Sequence, residues 1–292
     1  MPTFSIIIPH HEIPELLQRC LDSIPDTPEV QVIVVDDNSS EDKVNFTHFP
    51  GLCRKYTECI FDRDGGGAGH ARNVGLKHAT GKWLVFADAD DYFVDGAFDV
   101  FNIHCNDQED VIQFKADSVD SNDFTPSFRH MKINNAIDKS LSGVISAKEA
   151  ILTEPAPWSK MFCREHIMLR HILFDEIYAS NDAMFVVKAT CWAEDNRVTT
   201  HGDVVYTVTT RKNSLHSNKE VCGRNYLSNL DMVIRRNKFF EDYPYEKRPV
   251  IVLVIRALKI GPKTFWKAFL MAVKYHALFS GTNVILKKLF GK

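Results

Sequence analysis

The sequence predicts an α/β protein: a mostly parallel, Rossmann-like sheet flanked by helices, with a helical C-terminal extension. Three observations carry this. Through the first hundred residues, short β-branched runs alternate with segments of helical period, as expected of buried strands joined by crossover helices. Two of those runs end on acidic clusters, at the strand ends where open α/β sheets hold their ligands. From about residue 219 onward the pattern is helical.

Residues 4–8 form the first predicted strand. Pro14 opens a helix, because its fixed φ and missing N–H suit a first turn, and Leu16, Leu17, Cys20, Leu21 and Ile24 recur at helical spacing until Pro25. Residues 30–35 are the second strand, which runs straight into Asp36-Asp37-Asn38-Ser39-Ser40. A third strand is expected near residues 59–62. The glycine run 65–69 precedes a helix over 70–79, and the apolar strand 83–87 ends on Asp88-Ala89-Asp90-Asp91. Beyond residue 100 the pattern predicts a strand over 111–115 and a polar, acceptor-side loop with some strand content over 116–142. A Ser146/Glu149 capping box then opens a short helix ending before Pro155, followed by a helix over 181–193 and a strand over 203–208.

A chain of 292 residues buries a core without staples, and its 45% hydrophobic and 25% charged residues exclude wholesale disorder. Seven scattered cysteines, with no CxxC or Cys/His ligand spacing, favour neither a disulfide framework nor zinc and read as reduced, cytosolic thiols. The first apolar run lacks a basic leader and stops at Pro9, so it is not a signal peptide. The longest apolar stretch, 250–255, is too short to span a bilayer. A net charge of -3 gives no ground for a nucleic-acid partner, but the charge is uneven. Residues 246–292 hold ten basic and one acidic side chain, so they carry +9 and the rest -12. Bulky apolar residues such as Trp266 and Leu270 interleave those lysines. The composition suits a helix lying peripherally on an anionic membrane, or one packed on protein.

Asp36, Asp37, Asp88, Asp90 and Asp91 converge on one sheet edge in this reading. Gathered carboxylates repel, so the arrangement makes sense where they receive hydrogen-bond donors or a cation. The glycine run has neither the Lys-Ser/Thr of a P-loop nor GxGxxG in register.

Four blocks, in order, are similar to the inverting family-two glycosyltransferases of glycosyltransferase A fold. They are Ser5-Ile6-Ile7-Ile8-Pro9, residues 32–39 ending Asp36-Asp37-Asn38-Ser39, Gly69-His70-Ala71-Arg72-Asn73-Val74-Gly75-Leu76, and residues 81–91 ending Asp88-Ala89-Asp90-Asp91. The likeness runs over residues 4–214. It implies non-processive, inverting transfer from a UDP-sugar, or another nucleotide-sugar, to a hydroxyl of a glycan or lipid-linked acceptor in surface-polysaccharide assembly. The absence of QxxRW agrees with single addition. Residues 1–100 would bind the nucleotide-sugar, residues 101–218 the acceptor within the same domain, and residues 219–292 form the helical region.

The same resemblance assigns Pro9, His11, Asp36, Asp37, Arg72 and Asp88 to the nucleotide site. Asp37 would accept from uracil N3–H, His11 lie against the base, Arg72 sit near phosphates or base, and Asp88 hold the ribose. Asp90 would ligate Mn²⁺ or Mg²⁺. His11 stands where the family often has an aromatic residue, in Pro9-His10-His11-Glu12 rather than Pro-x-Tyr-Asn. Asp182 matches the general base, with Asn181 in place of the family's usual Glu; its other reading is a first-turn acid complementing a helix dipole. Trp158 matches an acceptor-cleft segment or is a core tryptophan. Arg211 and Ser214, with His216 nearby, resemble a loop closing on the diphosphate. The alternatives are a nucleotide-sugar-binding protein that has lost catalysis and a sugar-nucleotide pyrophosphorylase, whose basic first-loop signature is missing.

Overall fold

The computed structural model describes residues 1–210 and 219–284. Strands β1 (Phe4–His10), β2 (Val30–Asp37), β3 (Thr57–Asp62) and β4 (Trp83–Phe86) run parallel. With β5 (Tyr92–Phe93), β6 (Val111–Asp120), β7 (Lys160–Cys163) and β8 (Val198–Thr210) they make one sheet of order β3-β2-β1-β4-β7-β6-β8-β5. β7 is antiparallel to β4 and β6, β8 is parallel to β6, and β5 lies antiparallel on β8.

β1 is buried along its whole length because both sheet faces are covered, so its sequence shows an unbroken apolar run instead of alternation. Ile6, Ile8, Val32 and Val34 enter one apolar layer with Leu17, Cys20 and Leu21 of helix α1 (Pro14–Asp22). Ile7, Ile33 and Val35 enter the opposite layer with Ala71 and Leu76 of helix α2 (Gly67–His78). α2 comes so close that a Cβ on Gly75 would lie 2.5 Å from the Ile7 side chain. The first unit also contains α3 (Ala97–Ile103), α4 (Met131–Leu141), α5 (Ala147–Thr153) and α6 (Arg164–Leu169). Ser146 caps α5 with the reciprocal Glu149 bond that the sequence predicts.

The expected loop over 116–142 is largely regular. β6 continues to Asp120, and α4 buries Ile133, Ala136 and Ile137, a one-face spacing hidden by polar neighbours. β5, α3, β7 and α6 occupy stretches where no element is predicted; β5 and β7 are too short for their period to register.

Contacts divide the chain into two compact units. One comprises Met1–Glu176 with Phe185–Arg211, the other Ile177–Met184 with Lys212–Lys292. Helix α7 (Ala183–Trp192) begins in the second and continues in the first. In the second unit α8 (Lys219–Phe239), α9 (Val250–Arg256) and α10 (Pro262–Lys274) pack together. The Tyr226 hydroxyl donates to the Leu253 carbonyl at 2.5 Å. Buried Asn237 donates to the Arg248 carbonyl and Ser280 Oγ and accepts from Arg248 N–H, which ties α8 to the segments flanking α9 and α10. No described helix is long and apolar enough to cross a membrane, and all seven cysteines are free thiols.

Candidate active site

From β1 the chain moves outward to β2 and β3, then returns on β1's other side as β4. Such a reversal opens a crevice at the carboxyl ends of the strands, which here carry Pro9, Asp36, Asp37 and Asp88.

Successive residues of a strand face opposite ways, so Asp36 and Asp37 diverge. Asp36 is fully buried: its Oδ1 receives His10 Nδ1–H at 2.7 Å and the Ser39 hydroxyl at 2.6 Å, and its Oδ2 receives Ser39 N–H at 3.1 Å. Ile13 N–H donates to His10 Nε2 at 3.2 Å, which makes Nδ1 the protonated nitrogen facing Asp36. Burial works to raise the Asp36 pKa, but the His10 and Ser39 bonds outweigh it and hold the carboxyl below its ordinary range. Asp36 therefore pins the β1 and β2 loops together, and Pro9 is likewise buried, beside Val35 in the sheet. Asp37 faces the other way. Its Oδ2 receives Gly67 N–H at 2.9 Å, while its Oδ1 is buried with no hydrogen-bond partner among the described residues. Gly67 has φ +82°, a backbone state that glycine adopts without strain. The exposed His11 ring is tethered alongside by Nδ1–H donating to the Asp37 carbonyl at 2.9 Å.

On the β4 side, buried Arg72 donates from Nη2 to Asp88 Oδ1 at 2.6 Å and lies over the Phe174 ring. Asp88 N–H donates to the Tyr206 hydroxyl at 2.9 Å. The Asp90 carbonyl receives Arg19 Nη2 and the Thr209 hydroxyl, and Asp91 Oδ1 receives Thr209 N–H at 2.7 Å. Burial, and then the charges of Asp88 and Asp90, push Asp91 well above the usual carboxylate range. An oxygen-rich edge whose carboxylates penalise one another's charge suits a hard divalent cation.

Trp158 is a core residue. Only 4% exposed, it lies nearly parallel to Tyr206 with ring centroids 5.9 Å apart, so it supports the tyrosine that meets Asp88 instead of offering a face to a sugar. Asp182 directly precedes α7 and belongs to the second unit. Arg211, Ser214 and His216 lie outside the described residues.

Sequence reasoning missed the job of α2's other polar residues. Asn73 donates to the Phe174 carbonyl and Glu176 Oε1, both at 3.0 Å, and accepts Phe174 N–H at 2.8 Å. His70 lies 2.8 Å from Asp62 and 3.3 Å from Glu176. Its burial opposes charge, but Glu176 and Asp62 prevail and raise its pKa. Asp62, Asp64 and His70 bring ligand-type atoms within 4.8 Å of one another. Asn73 sits inside a recognisable block, yet nothing local announces a partner a hundred residues away.

The family profile described as "Glycosyl transferase family 2" matches residues 5–159, more than half of the chain. The chain belongs to glycosyl transferase family 2. Among relatives of this family-2 chain, the uncharacterized glycosyltransferase EpsJ of Bacillus subtilis is 24% identical over 217 residues, which cover 70% of this chain and 61% of EpsJ. The poly(ribitol-phosphate) beta-N-acetylglucosaminyltransferase TarS of Staphylococcus aureus is 25% identical over 232 residues, which cover 74% of this chain. This chain thus spans 61% of EpsJ's length and 37% of TarS's. The structure of S. aureus TarS 1-349 in complex with UDP-GlcNAc matches with TM-score 0.60 at 19% identity, covering 100% of this chain and 93% of that one. A mannosyltransferase from Pyrobaculum calidifontis, in complex with GDP-Man and Mn²⁺, matches with TM-score 0.54 at 17% identity, covering 98% and 80%. The family-2 chain shares their fold.

Proposed function

We propose that this family-2 chain transfers a sugar, with inversion, from a UDP-sugar or another nucleotide-sugar to a hydroxyl of a glycan or lipid-linked acceptor. The observation that carries this is the buried, unpartnered Asp37 Oδ1 at the strand ends, an acceptor that waits for a donor such as uracil N3–H. Solved relatives in complex with UDP-GlcNAc or GDP-Man, and a TarS name that specifies a polyol-phosphate polymer, support the substrate class.

In this reading residues 1–100 hold the donor and 101–218 the acceptor. Asp37 selects the base, His11 lies along it, Asp88 takes the ribose, and Arg72 sits near the phosphates or the base. Asp36 contributes indirectly, by fixing the loop from which Asp37 projects. Asp90 would hold Mn²⁺ or Mg²⁺, which would neutralise charge on a departing diphosphate. Asp182 takes the proton from the acceptor hydroxyl as the glycosidic bond forms on the face opposite the leaving group.

Calorimetry with UDP tests the donor site. UDP should bind more tightly with Mn²⁺ than with EDTA, and Asp90→Asn should remove most of that difference. Asp37→Ala should weaken UDP by roughly 10–100-fold, the weight of a hydrogen bond to a charged group. Equal affinity with Mn²⁺ and EDTA would end the metal assignment, and an unaffected Asp37→Ala would end the base-binding one.

A further inference from the structure

Helix α10 carries two neighbouring stripes. Trp266, Leu270 and Val273 recur at i, i+4 and i+7 and are 58%, 62% and 45% exposed. Lys263, Lys267 and Lys274, at i, i+4 and i+11, line up beside that stripe about a fifth of a turn around the helix, all exposed and with no carboxylate partner among the described residues. The residues that α10 buries, Ala268 and Ala272, lie about half a turn away on a helix of 3.6 residues per turn. Small alanines seat the helix on its own unit, and large side chains are left for something else. No acidic residue occurs in 247–292, while the rest of the chain is strongly acidic.

We propose that this face of α10 docks on an anionic lipid bilayer, the lysines against the headgroups and Trp266, Leu270 and Val273 in the interfacial layer. Two features select that occupant. A second copy would set three lysines against three lysines, and a nucleic acid would engage the lysines while leaving a leucine and a valine in water. A bilayer surface takes both stripes at once, with the lysine stems reaching up along the apolar ridge. Thirteen residues are too few to span, so the helix lies in the plane of the surface. This docking is separate from the transfer reaction, and its failure would leave the proposed donor chemistry standing.

The test is co-sedimentation of the intact protein with phosphatidylcholine vesicles, with and without phosphatidylglycerol. Binding should require phosphatidylglycerol and weaken as salt rises. Lys263→Ala/Lys267→Ala/Lys274→Ala should lower the partition coefficient about 10²-fold, since each basic group near an anionic leaflet contributes about fivefold. Trp266→Ser/Leu270→Ser should also bind more weakly. These side chains are exposed, and circular dichroism melts establish that the variants are folded; should the apolar variant melt early, the lysine variant decides alone. The proposal is overturned if the protein ignores anionic vesicles at low salt, or if the folded lysine variant binds undiminished. It also fails if the folded apolar variant binds as tightly as the parent, which would mark a general polyanion site, or if the face proves to join two copies that do not sediment with vesicles.

Discussion

Asp36 and Asp37 are identical neighbours with different tasks, one satisfied by His10 and Ser39 and the other bonded through a single oxygen to Gly67. Replacing Asp36 with Ala would strand the His10 and Ser39 donors in a dry pocket and should destabilise the protein by about 3 kcal/mol, read as a shift in urea unfolding. A change within experimental scatter would mean that the loops hold without it. Because the folded Asp36 pKa is depressed, its contribution is present above the ordinary value of 3.8 and is lost as pH falls through the lower folded value. Asp182 belongs to chemistry instead. Asp182→Asn should lower kcat by about 10²–10⁴-fold with UDP affinity unchanged, and the product's anomeric configuration should be inverted by NMR. Wild-type turnover, or retained configuration, would remove Asp182 from the mechanism. The acids themselves were legible in the sequence because they cluster after apolar runs. Which of Asp36 and Asp37 turns inward was not, since that depends on His10 reaching across from a different strand.

At the scale of elements, α2 does two things at once. Gly67 at its start donates to Asp37 Oδ2, while His70, Arg72 and Asn73 together grip the segment Phe174–Glu176 from its backbone, its ring and its carboxylate. Asn73 foremost lowers the Glu176 pKa; burial opposes it, and His70 adds to the lowering. The raised His70 contributes fully below its ordinary 6.5 and is lost as pH rises through its folded value. The lowered Glu176 contributes above 4.5 and is lost as pH falls. The pair is therefore complete between those two values, and the His70 side opens first on going to neutral and alkaline pH. NMR titration of the His70 ring should give a pKa above 6.5 that drops in Glu176→Gln; an unchanged titration would mean that Asp62 alone charges His70. Elements with a long apolar run or a clear helical period, such as β1, β2 and α1, could be read from that pattern. β7 could not: four residues gain their place only by pairing with β4 and β6, both far away in sequence.

For the whole molecule, one sheet gathers acids from β2 and from the turn after β4 at a single edge, and the family profile spans both of those elements. The helical unit was legible only as periodicity and charge, because the packing of small alanines against large exposed residues on α10 is decided by neighbours. The stack of Trp158 on Tyr206 has an optical consequence. The indole is dry and rests on the ring whose hydroxyl meets Asp88 N–H, so its fluorescence should register a nucleotide arriving at the strand ends without any added dye. In a Trp266→Phe background, which removes the most exposed tryptophan, UDP with Mn²⁺ should change the emission intensity in a saturable way, and adding Trp158→Phe should abolish most of that change. A signal that persists without Trp158 would have to come from Trp83 or Trp192. If it vanishes with Trp158, every step of nucleotide entry and exit can be followed by stopped flow on the unlabelled protein.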